Sequence, residues 1–277
     1  MLRSHLKGVS WQNPLVNIAV HAVDPVDYVV RTMNGRGHIP RYSARVRSVG
    51  IKGDIGAKDF QKGGRKAANL MRTYAALTPE SKILEIGCGC GSNALGLGEF
   101  LDDGNYTGMD IERVSLEAAR GIAPLRAKGF RFDFLDVRNG AYNPDGKYLA
   151  TEYVFPYPDA CFDVIFFASV FTHMLTDEVL NYATQIGRVL KPGGRCMFTA
   201  YLLDRPTTLP FPFTAQEHSY MNETIPEIAV AYHSKFLYDT FAKHDMACPS
   251  GPLWGSIHGG EAQSGGLQDI MVFTKQG

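Results

Sequence analysis

The sequence predicts an α/β protein organised on a parallel sheet, and three observations lead there. Between Ser81 and Gly194, short apolar runs suited to buried strands alternate with segments of helical periodicity, the pattern of successive βαβ units. The stretch ILEIGCGCGSNA, Ile83 to Ala94, passes from such a run through Gly87, Gly89 and Gly91 into a helix-compatible segment. A strand that turns through glycines into a helix brings bare backbone against a nucleotide-like ligand. Asp110 and Asp136, finally, close the second and third apolar runs, which places both carboxylates at one edge of the sheet.

Taken in order, residues 1–78 read as an N-terminal helical and loop extension, punctuated by Asn34-Gly35, Gly37, Pro40, Gly50, Gly53 and Gly63-Gly64. Ala67 to Leu77 is predicted to be a helix leading into the first strand. Residues 79–277 form the main domain. Its strands are predicted at Ile83 to Ile86, Tyr106 to Met109, Arg131 to Leu135, Asp163 to Phe167, Cys196 to Leu202 and Leu267 to Thr274. Helices are predicted after the glycine loop, over Val114 to Ala123 with Ser115 near the start, and over His233 to Met246. A further helix is expected from Thr176, read as its N-cap, with Asp177 and Glu178 in the first turn. Its apolar positions (Val179, Leu180, Ala183, Ile186, Val189, Leu190) recur at helical spacing until Lys191-Pro192-Gly193-Gly194 breaks it. Residues 203–231, rich in proline and aromatics (Pro206, Pro210, Phe211, Pro212, Phe213, Tyr220), read as an insertion. A connection that long is expected to be a lid or a binding loop.

Composition narrows the function classes. Lysine plus arginine balances aspartate plus glutamate at 28 each, so charge offers no case for a nucleic-acid partner. Cations nevertheless crowd the extension (Arg31, Arg36, Arg41, Arg45, Arg47, Lys52, Lys58, Lys62, Arg65, Lys66), read as a solvated face or, for one or two of them, as contacts to an anionic ligand group. The five cysteines, Cys88, Cys90, Cys161, Cys196 and Cys248, form no CxxC pair and no metal-type grouping. Reduced thiols fit a cytoplasmic protein. No apolar run reaches the length of a membrane span. The start of the chain (Met1, Arg3, Lys7, then a mildly apolar stretch to Val23) has the outline of a signal peptide, but Asn13, Asn17 and His21 interrupt it, so export is not expected.

Chemistry concentrates at the strand ends. A carboxylate at Asp110 can accept hydrogen bonds from both vicinal hydroxyls of a ribose. The loop reads G-x-G-x-G, and Ser92 stands where a dinucleotide fingerprint carries its third glycine. Glu85 lies inside a strand that should be buried, so it is expected to meet donors in the loop or a nearby ammonium. Asp136 is placed to accept from the exocyclic amine of an adenine.

With these residues the chain resembles a class I S-adenosylmethionine-dependent methyltransferase. FDVIFFASVFTHM (Phe162 to Met174), RVLKPGGRCMFTAYL (Arg188 to Leu202) and LQDIMVFTK (Leu267 to Lys275) resemble the family's later motifs in order, and the likeness runs from about Phe60 to Lys275. It implies a seven-stranded, mostly parallel sheet with an antiparallel last strand and helices on both faces. It also implies S-adenosyl-L-methionine as cofactor, held by Glu85, Gly87, Cys88, Gly89, Gly91, Asp110, Ile111, Asp136, Val137 and Ser169. Cys90 departs from many relatives, at a position where backbone makes most contacts.

The acceptor is expected to be a small hydroxylated molecule. The stretch FPYPDACFDVIFFASVFTHM is similar to bacterial enzymes of polysaccharide or glycolipid modification, which implies a sugar hydroxyl. Such an oxygen benefits from a general base, and the candidates are His173 and His218, with Tyr201, Tyr232 and His258 in reserve. Against catalysis, His173 could instead bond a loop backbone and His218 could be an exposed loop histidine. Two other classes compete: an NAD(P)-dependent oxidoreductase or epimerase, which lacks its glycine at Ser92 and a Tyr-x-x-x-Lys pair, and a cofactor-binding module without turnover. Ala168-Ser169-Val170-Phe171 replaces the Asn-Pro-Pro-Tyr type motif of DNA and glutamine methylation.

Overall fold

The alternation of strands and helices carries through into the computed structural model, which describes residues 14–49, 54–215 and 217–277. Expectations for Met1, Arg3, Lys7, Asn13, Gly50, Lys52 and Gly53 fall outside those residues. Four helices come first: α1 (Pro14–His21), α2 (Asp24–Met33), α3 (Tyr42–Val49) and α4 (Lys58–Tyr74). Then follow β1 (Ile83–Ile86), α5 (Ser92–Gly98), β2 (Tyr106–Asp110), α6 (Arg113–Arg120), α7 (Ala123–Ala127), β3 (Arg131–Phe134) and β4 (Phe162–Phe167). The second half holds α8 (Thr176–Val189), β5 (Leu190–Ala200), β6 (Phe213–Thr214), β7 (His218–Tyr220), β8 (Val230–Tyr232), α9 (Ser234–Ala242), β9 (Met246–Ala247) and β10 (Asp269–Lys275). The main sheet has seven strands in the order β3-β2-β1-β4-β5-β10-β9. β1–β4, β4–β5 and β2–β3 pair in parallel, whereas β10 runs antiparallel to β5 and β9, the arrangement the sequence implied.

The chain divides into two compact units. The first holds the described residues up to Arg72 with Thr78–Glu80 and Cys88–Leu135. Asp27 organises its N-terminal helices from a fully buried position. Its Oδ1 accepts from Arg45 Nη2 at 2.7 Å and the Gly56 amide at 2.9 Å, and its Oδ2 accepts from Arg31 Nε at 2.7 Å and the Tyr42 amide at 3.1 Å. Two of the cations expected on a solvated face are therefore interior. Buried charge is tolerated there because every partner is charged or a peptide donor. Glycines bring α4 and α5 into close contact: a Cβ on Gly64 would meet Ser92 O at 1.9 Å, and one on Gly96 would meet Gly64 O at 2.2 Å.

The second unit holds Thr73–Leu77, Ser81–Gly87 and Asp136–Gly277. Its core is an aromatic stack. Phe198 lies parallel to Phe167 at 4.8 Å and to Phe273 at 5.8 Å, and Phe241 stacks on Phe273 at 4.4 Å. Its satellite is an antiparallel sheet, β6-β7-β8.

Several element boundaries differ from expectation for local reasons. α4 starts at Lys58 instead of Ala67 because the Asp54 carboxylate takes the amides of Asp59 and Phe60 at its N-terminus. The helix expected over Val114 to Ala123 is two, α6 and α7, with Ser115 in the first turn of α6 and Glu112 as its cap, accepting from the Ser115 amide at 2.7 Å. Thr176 is the first residue of α8 and not its cap; Glu178 reaches back to the Leu175 amide at 2.7 Å. Lys191 to Gly194 lie within β5, accommodated by a register jump from Phe162↔Leu190 to Val164↔Arg195. Residues 203–231 contain two short strands and the start of a third, β8, where a long loop was expected.

Candidate active site

In the first unit, the glycine loop is held from within. The Cys88 amide donates to Met109 O at 3.1 Å and the Gly91 amide to Cys88 O at 3.1 Å. The Gly89 amide donates to Asp110 Oδ2 at 2.6 Å, and the Cys90 amide to Ser48 Oγ at 2.9 Å. Gly89 and Gly91 have φ of 53° and 86°, the left-handed region that glycine enters without penalty. Packing demands glycine as well: a Cβ on Gly89 would stand 2.9 Å from Ser48 Oγ, and one on Gly91 3.1 Å from Ile122 Cδ1. The space each glycine leaves is thus taken by protein atoms.

Asp110, at the end of β2, accepts the Gly89 amide on one oxygen and the Glu112 amide on the other at 2.7 Å. A carboxylate oxygen accommodates two hydrogen bonds, so each keeps one lone pair for a further donor. Burial pushes the Asp110 carboxyl up to about 6, against the lowering effect of the Glu112 and Gly89 amides. Ile111 follows it, partly exposed on the strand-to-helix turn. Burial also pushes the Cys90 thiol up to about 12, which leaves it unreactive at neutral pH. All five cysteines are free thiols.

In the second unit, Glu85 is buried on β1, in register with Phe166 of β4. Gly87 has φ of 72°, and a Cβ there would come within 2.6 Å of Val170. Asp136 is half-buried and its carbonyl accepts the Tyr148 amide at 2.9 Å, while Val137 is buried and bridges to Tyr148. Ser169 has φ of 59°, a strained state for a residue with a side chain. Its amide donates to Thr199 Oγ1 at 2.8 Å and its hydroxyl to Gln268 Oε1 at 3.0 Å. Thr199 donates to the same amide oxygen.

The candidate bases lie in this unit. His173 Nδ1 is 2.8 Å from the Glu227 carbonyl, which can only accept, so Nδ1 carries the hydrogen. Its Nε2 is then an acceptor, 3.3 Å from the Tyr142 hydroxyl. His218 Nδ1 is 2.7 Å from Thr176 Oγ1, and its Nε2 makes no hydrogen bond among the described residues. Burial lowers the His218 imidazole below its ordinary range, opposed by the charge of Asp177, which keeps it neutral at neutral pH. Two reserves prove structural. Tyr232 is fully buried and donates to Phe171 O at 3.3 Å and to Met174 O. His258 has Nε2 3.0 Å from the buried Asp269 carboxylate and Nδ1 3.0 Å from Pro206 O.

Cys88, Gly89, Gly91, Asp110 and Ile111 therefore share the first unit, and Glu85, Gly87, Asp136, Val137, Ser169, His173 and His218 the second. Ser48, Tyr142, Thr199, Glu227 and Gln268 did not stand out in the sequence. Gln268 carried the one usable signal: it immediately precedes an antiparallel strand, which returns it to the rim where β5 ends.

Residues 84–198 match the family described as a methyltransferase domain. Among curated proteins, the chain is 31% identical over 119 residues to "Probable methyltransferase ltbC" of Aspergillus luteorubrus, covering 40% of this chain and 37% of that protein. It is 28% identical over 220 residues to the highly reducing polyketide synthase Preu5 of Preussia isomera, covering 75% of this chain and 8% of the synthase. The chain thus spans half or less of the length of the curated relatives it matches. Similar solved structures include the PH0226 protein of Pyrococcus horikoshii (TM-score 0.54, 16% identity, covering 80% of this chain and 94% of that one). The [4+2]-cyclase SpnF (TM-score 0.53, 18% identity, 94% and 96% covered) has a similar fold too.

Proposed function

We propose that the chain, whose residues 84–198 match a methyltransferase domain, uses S-adenosyl-L-methionine to methylate a hydroxyl of a small acceptor, a sugar or the sugar head of a glycolipid. The observation that carries this reading is Asp110, fixed at the end of β2 by the Gly89 and Glu112 amides with a lone pair left on each oxygen. That pair of acceptors fits the two vicinal hydroxyls of an adenosyl ribose. Glu85, Gly87, Cys88 and Gly91 complete the loop; Ile111 supplies an apolar surface for the adenine, Asp136 and Val137 its edge, and Ser169 the amino-acid end. The cofactor supplies a methyl group already activated on a sulfonium.

What remains for the protein is alignment of the acceptor oxygen, exclusion of water and removal of its proton. His218 suits the removal of the proton, because it is neutral and Thr176 orients the ring while leaving Nε2 bare. His173 is the alternative, acting on a proton through Tyr142. The division into an extension over residues 1–78 and a catalytic domain over 79–277, with acceptor choice written in 203–231, belongs to the same reading. Titration calorimetry tests it. S-adenosylhomocysteine should bind in the micromolar range, and Asp110→Ala should abolish that binding; undiminished binding in the variant would defeat the assignment. His218→Asn should lower turnover by about 10²–10⁴-fold with donor binding intact. Binding of the product cofactor with no methyl incorporation into any hydroxylated acceptor would leave a binding module instead.

A further inference from the structure

We propose that Ser48, at the end of α3, is a positioning residue for the cofactor loop; the inference rests on the reading of that loop as the S-adenosylmethionine site. Three contacts converge on this side chain. Its Oγ accepts the Cys90 amide at 2.9 Å, it donates its own proton to Ser115 Oγ at 3.1 Å, and it fills the space a Cβ on Gly89 would need. Among the described residues, no other side chain outside the loop and its adjoining β2 aspartate takes up one of the amides from Cys88 to Gly91.

Ser48 is itself held on both sides. Three residues before it, Arg45 is locked to buried Asp27 at 2.7 Å. One residue before it, Arg47 lies 3.6 Å from Glu112, the carboxylate that caps α6. The hydroxyl therefore sits on a helix anchored through Asp27, a contact that does not involve the loop. A loop rich in left-handed glycines has many conformations to lose, and ordering them in advance removes that cost from binding. The part of the chain outside the matched family stretch, residues 84–198, thereby sets the affinity of the loop within it.

Ser48→Ala tests this. S-adenosylhomocysteine, measured by calorimetry, should bind about tenfold more weakly, the effect of leaving one peptide donor without its partner. The variant should stay folded with a modestly lower thermal midpoint, and exchange of the Cys90 amide, followed by NMR, should accelerate while the Gly91 amide is unaffected. Ser115→Ala, which removes only the acceptor of the Ser48 proton, should change affinity less than about twofold. A folded Ser48→Ala protein with wild-type affinity overturns the proposal. Should that variant not fold, the wild-type protein decides: a Cys90 amide that exchanges as freely as an exposed one overturns it, and a protected one supports it. Failure of wild type to bind S-adenosylhomocysteine defeats the cofactor reading instead, and leaves the exchange experiment standing as a test of the Ser48 bond.

Discussion

Asp110 does two things with one carboxylate: it holds the glycine loop through the Gly89 amide and keeps acceptor capacity for a ligand. Its pKa of about 6 makes both pH-dependent near neutrality. Because burial raises the folded value above the ordinary carboxylate value, its contribution to stability is complete below the unfolded pKa and is lost as pH rises through about 6. On the proposed reading of Asp110 as the ribose acceptor, ligand binding has the opposite sense, since two ribose hydroxyls are best accepted by the ionised form. Affinity for S-adenosylhomocysteine should therefore fall as pH drops below about 6, with proton release on binding seen by calorimetry in buffers of different ionisation enthalpy. Asp110→Asn should flatten that dependence. It should also weaken the loop, because an amide offers only one oxygen to the two peptide donors that the carboxylate serves.

Among the elements, α8 carries a comparable device. Glu178 bonds the Leu175 amide and stands near Asp177 and Glu227, and burial pushes its carboxyl up to about 7. The sign is that of a raised carboxyl: stabilisation is full below the unfolded value and is lost as pH rises through about 7. Glu178→Gln keeps an acceptor for Leu175 and removes the charge, so urea unfolding should show it more stable than wild type at pH 8 and little changed at pH 5. Elements of this kind divide what the sequence made legible from what it did not. β1 to β4 announced themselves as apolar runs, with Asp110 at the end of β2. The N-terminal helices were obscure because the residues they bury include Asp27 and Arg31, which a hydrophobic pattern reads as solvent-facing. The strands within 203–231 are two or three residues long, too short for alternation to register. Lys191-Pro192-Gly193-Gly194 did stop α8, but partner strands absorbed it as a bulge, a tertiary effect absent from local sequence. Of the proposed site, the glycines and strand-end acids are a reading from spacing; Ser48 was not legible, since its partner Cys90 lies 42 residues away.

At the scale of the whole molecule, net charge is zero, so its electrostatics are local. The Asp27 cluster is one such locality. Burial by itself would raise the Asp27 carboxyl, but bonds from Arg45, the Gly56 amide and Arg31 outweigh it and hold the group below its ordinary value. Its stabilisation is thus present above the unfolded carboxylate value and is lost as pH falls through the lowered one, the reverse of Glu178 and Asp110. Asp27→Asn should cost about 3–5 kcal/mol in denaturant unfolding, because two buried guanidinium groups lose their counter-charge. The closed bonding of the glycine loop bears on ligand class as well. With every peptide N–H from Cys88 to Gly91 engaged inside the protein, these residues have none to spare for a diphosphate, which would have to strip an existing bond to be recognised there. A sulfonium nucleoside makes no such demand: it is cationic, and its sugar seeks oxygen acceptors. On the proposed reading, the chain thereby favours the sulfonium class of adenosine cofactor, by the polarity of the groups the loop leaves open.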